Sequence, residues 1–199
     1  MSKIDSLLEK IYERNPENGH YIIEVSLTNY AEIFNEWDYA PYKRKDINPE
    51  LLSFLEDSID DIPLEYNIDI CFYLAEERQN ADKENLITAW FRTFYTFYIE
   101  IEKNKIKAIL QSSAVYMMVS AVLLVVSYFG VLHQESVAIY TLTEILIVGG
   151  WVFLWEAMDR LLFQRKTVSK LIKNYERFRI ADISFRYSKP PEALRVLRI

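Results

Sequence analysis

The stretch AILQSSAVYMMVSAVLLVVSYFGVL, residues 108–132, decides the reading of this chain: 25 residues pass without a single charged side chain. A helix rises about 1.5 Å per residue, so roughly 20 apolar residues cross the hydrocarbon layer of a bilayer. A run of this length exceeds the ~10–14 residues expected of a buried helix in a soluble core, and it reads as a transmembrane helix. A second apolar stretch follows from Val137 to Trp155, interrupted only by Glu144. The link between them is His133, Gln134, Glu135 and Ser136, too short for anything but antiparallel neighbours. The expected unit is therefore a two-helix transmembrane hairpin.

The flanks orient it. Lys103, Lys105 and Lys107 precede the first span, and Arg160, Arg165, Lys166, Lys170, Lys173, Arg177 and Arg179 follow the second, while the link carries no Lys or Arg. Positive residues are retained on the cytoplasmic side, which predicts both termini inside. The bulk numbers hide this division: mean hydropathy is −0.05, yet residues 1–100 carry a net charge of −12 and residues 101–199 a net of +6. One cysteine, Cys71, offers no internal disulfide. The opening MSKIDSLLEK has no apolar core of a cleavable signal.

Within the spans, Ser113, Ser120 and Ser127 recur every seven residues, with Tyr116, Leu123 and Gly130 on an adjoining column. On the second span Thr141, Glu144, Val148, Trp151, Trp155 and Met158 alternate by three and four and line one helix face. The expectation is that these stripes face each other or a second copy of the hairpin, because small residues and hydroxyls mediate helix contacts in lipid. Glu144 lies eight residues beyond Ser136, roughly 12 Å along the helix. An ionised, unpaired acid at that depth costs several kcal/mol. Three readings stay open: a protonated carboxyl bonded to Ser120, Ser127 or Thr141; self-association between copies; or a polar path for ions or protons. Gly149-Gly150 reads as close helix packing.

Outside the membrane, Ser2 to Arg14 reads as an amphipathic helix with Ile4, Leu7, Leu8 and Ile11 on one face, and Asn15 to Gly19 as a turn. His20 to Thr28 is rich in β-branched and aromatic residues and reads as a strand. Asn48-Pro49 starts a helix that ends near Ser58, and the alternation of Ile68, Ile70, Phe72 and Leu74 with Asn67, Asp69, Cys71 and Tyr73 makes a second strand. From Asn80, Leu86, Trp90, Phe91, Phe94, Tyr98 and Ile101 predict a stalk helix leading into the first span; Val168, Leu171, Ile172, Tyr175 and Phe178 predict a matching one after the second. Ala181, Ile183, Phe185 and Tyr187 alternate with Asp182, Ser184, Arg186 and Ser188 as a third strand, which needs the N-terminal sheet for a partner. The expected architecture is an α+β membrane protein: a cytoplasmic α/β domain and first stalk over 1–107, spans at 108–132 and 137–157 joined by an extracytoplasmic turn at 133–136, and residues 158–199 completing a three-stranded domain built by both termini.

Chemistry is scarce. His20 and His133 are the two histidines, and the soluble part holds one glycine, Gly19, so neither a zinc pattern nor a phosphate-binding loop is present. No catalytic residue, metal site or cofactor is expected, and no nucleic-acid partner. The acids Asp57, Asp60, Asp61 and Glu65 fit a charged helix end. The exception is the stretch from Phe34 to Asp46: Trp37, Tyr39, Tyr42, Lys43, Arg44 and Lys45 combine exposed-type aromatics with the basic cluster of an acidic half. Such loops often bind, either a ligand or protein, or lipid headgroups and local acids.

Phe34–Asp46, Phe54-Leu55-Glu56, Asp61-Ile62-Pro63-Leu64 and Gly149 through Ala157 together resemble a group of prokaryotic two-helix membrane proteins with a cytoplasmic α/β domain and no known activity. The likeness covers most of the chain. It implies a prokaryotic inner-membrane setting and no catalytic role. The resulting expectation is a non-enzymatic membrane protein whose domain binds or senses a ligand or partner and whose hairpin forms a homo-oligomer; the alternatives are a small channel or proton path through Glu144, or a membrane-tethered enzyme.

Overall fold

The computed structural model describes residues 3–41, 44–75, 78–132 and 136–187. The link residues His133 to Glu135, the tail from Ser188 onward and the cap Ser2 lie outside them. The elements are α1 (Lys3–Ile11), β1 (Glu13–Arg14), β2 (Tyr21–Ser26), α2 (Pro49–Asp61), β3 (Ile68–Leu74), α3 (Ala81–Leu132), α4 (Val137–Asp159), α5 (Arg165–Ile180) and β4 (Asp182–Tyr187), with a 3-10 turn at Tyr30–Ile33 and a π turn at Arg160–Gln164. The fold is α+β. Two compact units divide the chain: residues 1–99 with 173–199, and residues 100–172.

In the first unit, the sheet runs β1-β2-β3-β4. β1 is antiparallel to β2, whereas β2, β3 and β4 are parallel. The expected three-strand sheet is thus corrected to four; β1 has only two residues, too few to leave an alternation in the sequence. Register places Ile23, Ile70 and Ile183 in one row and Val25, Phe72 and Phe185 in the next, all pointing to one face. Within this unit, Leu51, Leu55 and Ile59 of α2, Ile87, Trp90, Phe91 and Tyr95 of α3, and Phe178 of α5 complete the buried core. Tyr95 stacks on Phe178 with ring centres 4.9 Å apart.

The helix α2 starts as its sequence dictates: the Asn48 side chain accepts the Glu50 amide at 2.8 Å, and Pro49 takes the first turn. It continues three residues past the expected end, to Asp61, because the Arg177 guanidinium of α5 donates to the carbonyls of Ile59 (3.4 Å) and Ile62 (3.2 Å) at its C-terminus. Burial drags the Arg177 pKa down to about 10 while Asp60 opposes that pull. The acids of α2 serve the same junction: Asn174 donates to Asp60 at 2.7 Å and Tyr175 to Glu56 at 2.8 Å.

The central strand β3 is buried on both faces, which strands a carboxylate, Asp69, in the interior. A buried charge persists only when its lone pairs are filled. Asn15 (2.7 Å), Asn18 (3.0 Å) and His20 (2.8 Å), from the turn between β1 and β2, bond it. Gly19 closes that turn at φ 75°, a conformation natural only to glycine. Burial pushes the Asp69 carboxyl up, but the three side-chain bonds outweigh it and hold the group below the usual carboxylate range.

In the second unit, α3 contributes buried Ser113, Ser120 and Ser127, and α4 contributes buried Thr143, Gly150 and Ala157. The Ser120 hydroxyl donates to the Gly150 carbonyl at 2.8 Å. Gly130 lies against Thr143, and Gly150 lies so close to Leu124 that a Cβ there would sit 2.7 Å from its Cγ. The contacts pair rising numbers on α3 with falling numbers on α4, so the helices run antiparallel. Past α4, the Arg160 side chain lies over the Tyr116 ring at 4.7 Å and donates to Glu156 and Ser112. The π turn that begins at Arg160 is a local irregularity of the kind frequent at functional sites.

Two outcomes are expected. Asp69→Asn costs about 1–3 kcal/mol by leaving three donors facing an amide, read as a lower melting temperature of the purified chain. Because the folded pKa is depressed, the Asp69 contribution is fully present above about pH 4, the unfolded carboxylate value, and is lost as pH falls from there through the lower folded value; in Asp69→Asn that part of the acid dependence disappears. Gly150→Ile overpacks against Leu124 and costs about 1–3 kcal/mol in the same assay, whereas Gly149→Ala, whose Cβ meets Leu123 at an ordinary 3.6 Å, is tolerated.

Candidate functional site

The loop singled out by sequence is built on a closed base. Phe34 bridges Ile47, the Asn35 amide donates to the Asp46 carbonyl at 2.9 Å, and the Asn48 amide to the Ile33 carbonyl at 2.9 Å. One aromatic contact and one hydrogen bond fix that base to α3: the Phe34 ring lies 4.7 Å from Trp90, and the Trp90 indole donates to the Lys45 carbonyl at 2.9 Å. Inside the loop, the Asn35 side chain accepts the Trp37 amide at 3.0 Å, and the Asp38 carboxylate accepts the amides of Ala40 (2.8 Å) and Asp46 (2.7 Å). Those two amide bonds, with the charge of Lys45, hold the Asp38 carboxyl below the usual range. Side chains that bond neighbouring amides replace the secondary structure the loop lacks.

This frame leaves the two aromatics outside. Trp37 is 95% exposed and Tyr39 is 102% exposed, so neither side chain is buried against the described fold. Arg44 is exposed and Lys45 half-buried, while Tyr42 and Lys43 lie outside the described residues. An apolar aromatic presented on a braced loop suits an external partner, since ordering it costs little at binding.

The polar candidates of the two apolar helices are not brought together. Ser120 is buried and bonded to Gly150; Ser127 is buried and donates to the Leu124 carbonyl at 2.8 Å; Thr141 is exposed and donates to the Val137 carbonyl at 3.0 Å. Glu144 is exposed and, among the described residues, bonds none of them. The α4 stripe that meets α3 is Thr143, Gly150 and Ala157, not Thr141, Glu144 and Trp151. Small residues win that face because only they admit a close backbone approach. The signal was present as a second seven-residue repeat, opposite the serine repeat of α3.

Two polar clusters carried no sequence motif. One is the Asp69 hub, where His20 and Asp69 form a dyad; among the described residues no hydroxyl or thiol bonds the other His20 nitrogen, and no group of three metal-ligating side chains occurs. The other lies where the parallel strands end. Tyr30 donates to Glu84 at 2.8 Å, Tyr187 also bonds Glu84, and the two hydroxyls meet at 3.1 Å. Burial pushes the Glu84 carboxyl up, yet Tyr187, Tyr30 and the Asn80 amide together hold it low. Burial and Glu84 drive the Tyr187 hydroxyl far above the ordinary phenol range. Residues 30, 84 and 187 come from three distant segments, so no spacing rule connects them. Both clusters are internally satisfied and read as ties within the domain.

Comparison with protein-family models, with curated proteins and with solved structures gives no significant match.

Because the Trp37 and Tyr39 side chains are exposed, the double substitution Trp37→Ala/Tyr39→Ala is expected to leave thermal stability within about 0.5 kcal/mol. Asp38→Ala, which frees two backbone amides of the loop, makes amide exchange across residues 38–46 faster. Unchanged exchange there means that the carboxylate does not brace the loop.

Proposed function

We propose that this chain is an integral membrane protein of the prokaryotic cell membrane, with a two-helix hairpin crossing the bilayer and a cytoplasmic domain that binds or senses a ligand or protein partner. One observation carries the reading. Both helices contain windows long and apolar enough to span, and only 11% of either window is buried. A core helix of a soluble protein buries its apolar side chains; here they point outward, which is favourable only where lipid replaces water.

The sheet supports the topology independently. The paired strands β3 and β4 flank the whole helical excursion. A chain that leaves one strand and returns to its neighbour crosses a membrane an even number of times, and two apolar spans satisfy that. The cations at both ends of the excursion, and their lack in the link, support a cytoplasmic side for the sheet. The braced loop with Trp37, Tyr39, Arg44 and Lys45 is the recognition surface of this reading, and assembly of the hairpin in the membrane is its second part.

Reporters fused to the N-terminus and to the C-terminus are both expected to read cytoplasmic; an external signal from the C-terminal fusion overturns the topology. With the fold expected to stay intact in the aromatic double substitution, loss of a co-purifying ligand or protein in Trp37→Ala/Tyr39→Ala supports the loop as the recognition surface. Full retention removes the loop from that role.

A further inference from the structure

The face of α4 turned away from α3 carries a complete seam. Thr141, Glu144, Val148, Trp151, Trp155 and Met158 are spaced three, four, three, four and three residues apart, the interval of left-handed helix pairing. Every one is outward: Thr141 and Glu144 are exposed, Val148 is 60% exposed, Trp151 50%, Trp155 69% and Met158 38%. Exposure alone means little for an apolar side chain in lipid. Glu144 is different. It lies about 12 Å beyond the Ser136 cap of α4, has no partner among the described residues of its own chain, and faces outward. The hydroxyls on either side of the helix are already spent on backbone carbonyls, Thr141 on Val137 and Thr143 on Ile139.

We infer that this seam is the contact between two copies of the chain, with Glu144 completed by the partner copy. The inference rests on the membrane-spanning reading above and names the partner of the hairpin. Copies in one membrane share an orientation, so a two-fold axis along the membrane normal sets each seam residue against its own counterpart at equal depth. Glu144 then meets Glu144 of the second copy. A neutral carboxyl carries one donor and acceptor capacity, so two of them close a reciprocal pair. A foreign helix would have to bring a polar group to that depth; a second copy supplies one by symmetry. The indoles of Trp151 and Trp155, too large for the close α3 contact, supply contact area along the same line.

Disulfide cross-linking of the full chain in lipid nanodiscs tests this. The single native cysteine, Cys71, is fully buried in the sheet and silent. Val148→Cys, on the seam, is expected to form a disulfide dimer on mild oxidation, and Ile145→Cys, 62% exposed but off the seam, is not. Glu144→Leu is expected to weaken self-association by about 3- to 20-fold, the range of one interhelical polar contact, while Glu144→Gln keeps it within about 2-fold. Equal cross-linking at 145 and 148, none at either, or an unaltered Glu144→Leu overturns the inference. Recovery of the chain as a soluble species without lipid instead sinks the membrane-spanning reading beneath it.

Discussion

The pairing of β3 with β4 is the constraint on which the described structure depends. Tyr73 and Arg186, matched across that pair, are 113 residues apart in the chain. Closing so long a loop costs entropy, although the cost grows only slowly with length. The return is a central strand with both edges satisfied and an apolar face that neither half of the chain supplies alone. Ile183 and Phe185 cover Ile70 and Phe72 in the rows started by Ile23 and Val25. Without β4, the strand that buries Asp69 would be an open edge.

Polar groups then set the precision of this domain. Asp69, Arg177 and Glu84 are charged groups drawn into or against the core, and each is held by several bonds from a different segment. A buried polar network is stabilising only when its members are satisfied. Arg177 falls short of that standard: among the described residues its Nε and Nη2 are buried without a hydrogen-bond partner, while Nη1 serves the α2 terminus. It is therefore a costly residue retained at the point where α5 is tied to α2 by Asn174–Asp60 and Tyr175–Glu56.

The helices of the second unit follow a different economy. On the membrane-spanning reading proposed above there is no hydrophobic drive between apolar surfaces, so contact is decided by how closely backbones approach and by hydroxyls that bond across the gap. Ser120 to Gly150, and the fit of Gly130 to Thr143, satisfy both conditions. The bulky side of α4, with its tryptophans and Glu144, stays exposed. The loop at residues 34–47 shows the same logic in water: Asn35 and Asp38 consume the backbone amides, and the aromatics that cannot be buried are displayed.

The sequence alone determined what period and composition encode: the two apolar helices, the Asn48-Pro49 helix start, the strands expected at residues 66–74 and 181–188, and the seven-residue serine repeat on α3. These are properties of neighbours along one element, where side-chain direction follows from helix or strand geometry. Partner choice was left to tertiary structure. Whether the Glu144 stripe or the Thr143–Gly150–Ala157 stripe meets α3 depends on side-chain volume at a contact between helices, and both stripes share the same periodicity. The two-residue β1, the extension of α2 to Asp61 by Arg177, and the meeting of Tyr30, Glu84 and Tyr187 likewise required segments far apart in sequence to arrive at one place. No local pattern records such a coincidence.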